Sequence, residues 1–315
     1  MKKFVSLLLV LVCAAPASAW NDRGHMVVAR LAWRKLTEQQ RGQVVNILRN
    51  HPHYAEFLAA NRPEGFSEDE WVFMRAATWA DWVRSHHQSE YNHGPWHYVD
   101  IPFIPSQSNF KMEGPLPDAN QPNIVTTLTA CVEKIRNGSP EEKAVYVCWL
   151  FHLVGDIHQP LHTTSMFSEK FPEGDRGGNL VTIRIRTNPI NLHSFWDGLL
   201  GSAISAAEIG RDVNQIEQVT AANGDAIKNE LATNQTFESW AKEGHVLCKS
   251  AVYLDGKLEF AVADPNAPAT PPSRDLDEYA SAAGKLARVQ IGKAGQRLAD
   301  VVCRSLEPAS TDLQP

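Results

Sequence analysis

Twelve histidines occur in this chain of 315 residues, and several stand at fixed spacing from an aspartate. In Phe151-His152-Leu153-Val154-Gly155-Asp156, the histidine and the aspartate are four apart. On a helix, four residues return a side chain to the same face, so an imidazole nitrogen and a carboxylate oxygen can reach one cation. His162 follows Asp156 by six positions, roughly 9 Å along a straight helix axis, which puts it too far from His152 to share an ion with it. Pro160 is expected to end that helix and free the backbone to aim His162 inward. Asp156, with two oxygens, can serve two ions. His193 and Asp197 repeat the i,i+4 pattern, and Asp81 and His97 form a third pair if a helix end and a returning loop bring them together. One such pair is most often a surface contact or a helix cap. Two pairs, with His162 behind the first, point to metal. The shell of nitrogen and oxygen without thiolate suits zinc, and manganese or iron would accept the same ligand types.

Helices dominate the elements that must carry these residues. Apolar residues recur at helical spacing over 26–36, 39–49, 68–85, 124–136 and 141–161, and again over 204–212, 237–254 and 276–306. Asn137-Gly138-Ser139-Pro140 breaks two of them, with Ser139 suited to an N-cap and Pro140 to a first turn. Strand signals are few: Leu180–Arg186 partly alternates apolar and basic residues and predicts a short hairpin arm. Residues 101–121 and 261–273, rich in proline and polar side chains, predict surface loops. The expected architecture is a single mainly-α domain with a short β-hairpin.

Residues 1–19 have the form of a secretory signal: Lys2 and Lys3, an apolar run from Phe4 to Val12, and Ala17-Ser18-Ala19 as the cleavage site. The apolar run is too short to anchor the chain in a membrane. The expected organisation is therefore a leader over 1–19, a catalytic domain over 20–307 and a loose tail over 308–315, in a secreted or periplasmic protein with no obligate protein partner. Cleavage after Ala19 would make Trp20 the N-terminus. A free terminal amine and the carbonyl of the same residue can chelate a metal through a five-membered ring, and His25 lies five residues on. Losing Lys2 and Lys3 takes the formal charge from −6 to −8. That balance is a poor footprint for passive binding of polyanions. Cys131, Cys148, Cys248 and Cys303 remain, and an oxidising compartment predicts two disulfides, with Cys131 near Cys148 and Cys248 near Cys303 among the possible pairings.

Trp20 with Gly24-His25, Trp79-Ala80-Asp81-Trp82-Val83-Arg84, His97-Tyr98-Val99-Asp100, the run His152–His162, Gly177-Gly178-Asn179 and Asn191-Leu192-His193 with Trp196-Asp197 together resemble the S1/P1 nuclease family in order and spacing. The resemblance runs from Trp20 to about Asp197, and Gly155-Asp156-Ile157-His158-Gln159-Pro160-Leu161-His162 is its most specific part. Zinc-dependent phospholipase C shares the metal framework and fold. The resemblance implies an α-helical phospholipase C/P1 nuclease-like fold and three zinc ions per chain. Asp81, His97, His152 and Asp156 would hold the first. His162, His193 and Asp197 would hold the second. The amine and carbonyl of Trp20, with His25 and a bridging Asp156, would hold the third. It also implies that Asp81 orients the attacking water and that Arg84 binds phosphate. Tyr98 and Asp100 would form a pocket for an unpaired base.

The function expected is hydrolysis of single-stranded DNA and RNA to 5′-phosphate products, with removal of 3′-phosphate from nucleotides. The alternatives are a zinc phospholipase C or related phosphodiesterase, and a zinc-binding protein without activity. His158 is read as structural. His86, His87 and His93 are read as surface residues, and the polar segment 163–176, with Phe167 and Phe171, as a loop able to overhang the cleft.

Overall fold

The computed structural model describes residues 20–86, 90–114, 121–186, 188–262 and 276–307. The expected leader, the tail from Pro308, His87 and most of the expected loop over 261–273 lie outside the described residues. Eleven α-helices and five short strands are described, so the mainly-α expectation holds. Helix α1 (Asp22–Lys35) is capped by Asn21, whose side chain accepts from Gly24 N–H. It packs along α11 (Asp277–Leu306), 30 residues long. Around this pair lie α2 (Glu38–Leu48), α3 (Glu68–Ala76), α4 (Trp79–Ser85), α5 (Ile124–Asn137) and α6 (Pro140–Asp156). Then come α7 (Leu192–Asp197), α8 (Ala206–Ala222), α9 (Gly224–Thr233) and α10 (Phe237–Leu247). Ser139 closes a capping box with Glu142 at the start of α6, and Pro140 occupies its first turn, as expected.

The main core is built from buried faces of α1, α3, α5, α6 and α11, with Trp20, Trp71, Trp79 and Trp149 among its largest members. A second, smaller core gathers Phe103, Leu161, Phe171, Trp196, Tyr253 and Tyr279. Burying an aromatic or aliphatic side chain of this size stabilises by roughly 1.5–3 kcal/mol. The metal-competent residues lie where these two cores meet.

Several boundaries depart from expectation for identifiable reasons. The helix expected over 68–85 breaks at Ala77-Thr78, where the bonds shorten to Ala77 N–H→Met74 and Thr78 N–H→Arg75. The Ala77 carbonyl then turns to His152 Nδ1 at 2.9 Å. Helix α6 stops at Asp156, and Gln159 adopts φ −89°, ψ 114°. The residue before a proline is pushed out of the helical region. Helix α8 runs ten residues beyond the expected 212, to Ala222, and α9 was not expected. In α8 only Ile209, Asp212, Val213 and Ile216 are buried, and in α9 only Ile227, so the apolar stripe that marks a helix is thin there.

The hairpin is present as β3 (Val181–Ile185) antiparallel to β4 (Asn188–Asn191), with β5 (Ala261–Val262) on the other edge of β3. The first residues of the expected loop 101–121 instead form β1 (Ile101–Phe103), parallel to β2 (Thr164–Met166). Much of the 163–176 segment, expected as a polar loop, is built into the fold: Thr163, Thr164, Ser165, Met166, Phe167, Phe171 and Asp175 are buried, while Glu169, Lys170, Pro172, Glu173 and Arg176 are exposed. The buried Asp175 carboxylate is satisfied from within and beyond the segment, accepting from Met166 N–H at 2.8 Å and Tyr253 O–H at 2.5 Å.

The cysteine expectation is corrected. All four described cysteines carry free thiols. Cys248 belongs to the second core, whereas Cys303 flanks the first and accepts from Gln40 Nε2 at 3.1 Å. Cys131 and Cys148 are fully buried, and burial pushes both thiols up, so they remain protonated.

Candidate metal centre

Three groups of side chains place their donor atoms within 4.8 Å of one another: His25–His152–Asp156, Asp81–His97–His152 and His162–His193–Asp197. These are the eight side chains whose spacing or motif matched in the sequence, and among the described residues no other joins them. Each comes from an element end or a helix face. His152 and Asp156 share one face of α6, His25 comes from α1, and Asp81 from the first turn of α4. His97 ends a 3₁₀ turn over Gly94–His97, His162 ends another over Pro160–His162, and α7 supplies His193 and Asp197.

Asp156 is the hub. Its Oδ1 lies 3.3 Å from His25 Nε2, while Oδ2 lies 3.0 Å from His97 Nδ1 and 3.2 Å from His152 Nε2. One carboxylate thus turns an oxygen to each of two groups, the arrangement required of a bridging ligand. Oδ2 also stands 4.0 Å from His162 Nδ1, on the way to the third group. Asp81 Oδ1 is 3.8 Å from His152 Nε2. His25 stacks on His152 with ring centroids 4.1 Å apart. That contact needs α1 and α6 to approach closely, and Gly155 permits it: a Cβ there would stand 2.6 Å from His25 Nδ1.

The far sides of the rings fix which nitrogen faces inward. His152 Nδ1 donates to Ala77 O at 2.9 Å, His162 Nδ1 to His97 O at 2.7 Å, and His193 Nδ1 to Gly177 O at 2.6 Å. With the proton on Nδ1, Nε2 carries a lone pair. His162 Nε2 and His193 Nε2 then face each other at 3.1 Å, and His152 Nε2 stands 3.0 Å from His97 Nδ1. Two lone pairs at that distance repel unless a cation lies between them. The spacing also matches the edge of a tetrahedron whose zinc–nitrogen distance is about 2.0–2.1 Å, near 3.3 Å. Both ring nitrogens of His25, Asp81 Oδ1, His97 Nε2 and Asp156 Oδ1 are buried without a hydrogen-bond partner. Native proteins seldom leave such groups unsatisfied without a functional reason. The donor set therefore fits metal ions.

Electrostatics point the same way. Burial, and then His152, lower His25; burial lowers His162; burial and then His162 push His193 down to about 3. All three are held as neutral imidazoles, the form that coordinates. His152 is the exception: burial would lower it, but Asp156 and Asp81 outweigh burial and raise it to about 9, holding a proton on Nε2 that a cation between those carboxylates would displace. Despite burial, His152 and His162 hold the Asp156 carboxyl well below the ordinary range. Burial drives Asp197 well above it, an anion that only a strong cation nearby would stabilise.

Around the groups, Arg84 sits half-buried on α4, and its charge bears on His193. Tyr98 and Asp100 are half-buried in the segment that Val99 N–H ties to His162 O at 2.8 Å. Trp20 is fully buried, and the next residue's N–H donates to Asp197 O at 3.2 Å, so the first described residue lies beside the His162–His193–Asp197 group. His158 is structural as read, with Nδ1 donating to Val154 O. His86 is exposed, but His93 is half-buried and stacks on Trp96 at 3.9 Å, a correction to its reading as a surface residue. Sequence reasoning missed Gln159, fully buried, whose Nε2 donates to Asp197 Oδ1 at 2.8 Å and whose Oε1 accepts from Leu161 N–H. Gly177, noted in the sequence only as part of a motif without a role, has φ +59°, and a Cβ there would strike Leu161 O at 2.5 Å. The one available signal was an amide and a glycine pair set among candidate ligands.

The S1/P1 nuclease family model matches residues 20–307. Similar proteins include endonuclease 4 of Arabidopsis thaliana, 21% identical over 96% of this chain and 94% of the relative. Nuclease S1 of Aspergillus oryzae is 25% identical over 89% of each chain. Endonuclease 5 of Arabidopsis thaliana is 23% identical over 95% of each. With the family match spanning all of the described fold, this chain belongs to the S1/P1 nuclease family and is a nuclease that hydrolyses phosphodiester bonds.

Proposed function

We propose that the chain is an exported endonuclease that holds three zinc ions and cuts single-stranded DNA and RNA to 5′-phosphate products, with 3′-nucleotidase activity. The observation that carries this reading is Asp156, one oxygen toward His25 and the other toward His97 and His152, with His162 behind. His162, His193 and Asp197 take the second ion. The main-chain amine and carbonyl of Trp20, freed by cleavage after Ala19, join His25 and Asp156 around the third. Zinc held by these residues would lower the pKa of a water toward neutrality and offset charge on phosphate and leaving oxygens.

The chain's own residues do the rest. Asp81, at the edge of the first group, accepts a hydrogen bond from the attacking water and orients it. Arg84, one turn on along α4, offers a planar fork of donors to two phosphate oxygens. Tyr98 stacks on a base and Asp100 accepts from its edge, which requires a base out of its duplex and so favours single strands. Among the described residues no helix is long and apolar enough to cross a membrane.

Heat-denatured DNA, duplex DNA and phosphatidylcholine offered in parallel test the substrate. Cleavage of the denatured strand with 5′-phosphate ends is expected, falling on the order of 100-fold or more in Arg84→Ala, as for loss of one preorganised charge donor. Lipid hydrolysis with inert DNA would overturn the reading.

A further inference from the structure

A second set of charges lies outside the metal centre, and two of its cations are buried nearly as deeply. Lys293 and Arg297, one turn apart on α11, are 2% and 3% exposed. Lys293 Nζ donates to Glu230 Oε2 of α9 at 3.0 Å and to Glu243 Oε1 of α10. Arg297 Nη2 donates to Glu243 Oε2 at 2.8 Å, and its Nη1 donates to His158 Nε2 at 2.7 Å. The other ring nitrogen of His158 donates to Val154 O at 2.8 Å, so both nitrogens are fixed and the ring is neutral. Trp240 of α10 flanks this contact, 5.4 Å from the His158 ring and 5.0 Å from the guanidinium.

Two cations and two carboxylates balance in charge, yet a buried ion network seldom stabilises a fold better than apolar side chains of the same size. Its placement suggests another use. His158 lies in the turn between Asp156 and His162, where the chain leaves α6 and must re-aim. The same turn carries Gln159, which holds Asp197 at 2.8 Å. Where His158 is pinned therefore sets how His162 and Asp197 meet His193. Helix α11 is the element that pins it, through Arg297.

We propose that Arg297, braced by Glu243, is a positioning residue for the His162–His193–Asp197 group, acting through His158 on the turn at 157–159. This rests on the reading of that group as a metal site. The test must separate positioning from stability, because Arg297→Ala alone strands a buried carboxylate and can unfold the chain. The triple variant Glu243→Met, Lys293→Met and Arg297→Met replaces the network with apolar side chains and leaves Glu230, 36% exposed, free to be solvated. Arg297→Lys keeps the charge but loses the fork.

Zinc bound per mature chain would be followed across graded free-zinc concentrations, alongside the metal-free unfolding midpoint and kcat and KM on denatured DNA. The triple variant is expected to fold with a midpoint close to that of the wild type while one of its zinc ions binds about tenfold more weakly, the others holding as before. Its kcat should fall while KM changes little. Arg297→Lys should give a smaller loss of the same ion, and decides the matter if the triple variant does not fold. Full-strength binding of every ion in a folded variant would overturn the inference and leave the metal reading standing. A wild type that binds no zinc would overturn both.

Discussion

Asp197 shows how much a single neighbour governs a candidate ligand. Burial beside Asp81 and Asp156 drives its carboxyl toward the protonated form, and the Gln159 amide opposes that shift. Gln159→Ala should therefore weaken zinc at the His162 group by about 10- to 100-fold, the usual cost of losing a partner that orients a ligand. Competition with a chelator would read this, and an unchanged zinc affinity would show that Asp197 needs no such support. At this scale the eight side chains were legible from spacing and motif, because histidine and aspartate are few and a helix repeats every four residues. Gln159 was not legible, since an amide or a carbonyl that orients a ligand leaves no spacing signature. Nor were the carbonyls of Ala77, His97 and Gly177, which fix the tautomers of three rings.

Elements carry a different kind of information. Glycine within α6 costs about 1 kcal/mol of helix propensity relative to alanine. Gly155 is nevertheless there because the His25 ring occupies the space of its missing Cβ. Gly155→Ala should lower zinc binding and activity at least tenfold, because the ring must shift by tenths of an ångström in a site that tolerates little. Activity equal to wild type would mean that His25 is not where it needs to be for function. The network on α11 yields a prediction in pH. Burial would raise Glu243, but Arg297 and Lys293 outweigh it and hold it at about 2, below the ordinary 4.5. A lowered folded value contributes stability that is fully present above pH about 4.5 and lost as pH falls toward 2. In chelated protein, Glu243→Gln should flatten the fall in unfolding free energy across that window, and an equally steep fall would contradict the assignment. Helices with a continuous buried stripe were legible in the sequence. The break at Ala77-Thr78 was not, because it answers to His152 across the fold. The parallel pairing of Ile101–Phe103 with Thr164–Met166 was also hidden, as neither three-residue strand has a pattern of its own.

Over the whole molecule, a formal charge of −6 opposes a polyanionic substrate, so affinity must come from the site. Three divalent ions against the three carboxylates of Asp81, Asp156 and Asp197 would leave a local excess of positive charge there, reinforced by Arg84. KM on denatured DNA should therefore depend only weakly on salt, and a steep dependence would point to an extended basic surface instead. The central claim is that scattered residues from six elements, with the main chain of Trp20, close around a cluster of cations. Elemental analysis of the purified chain beginning at Trp20 tests it most directly. Three zinc ions per chain are predicted, falling to two when a single residue is left in front of Trp20. A chain that carries no tightly held metal, or holds three regardless of what precedes Trp20, would contradict it.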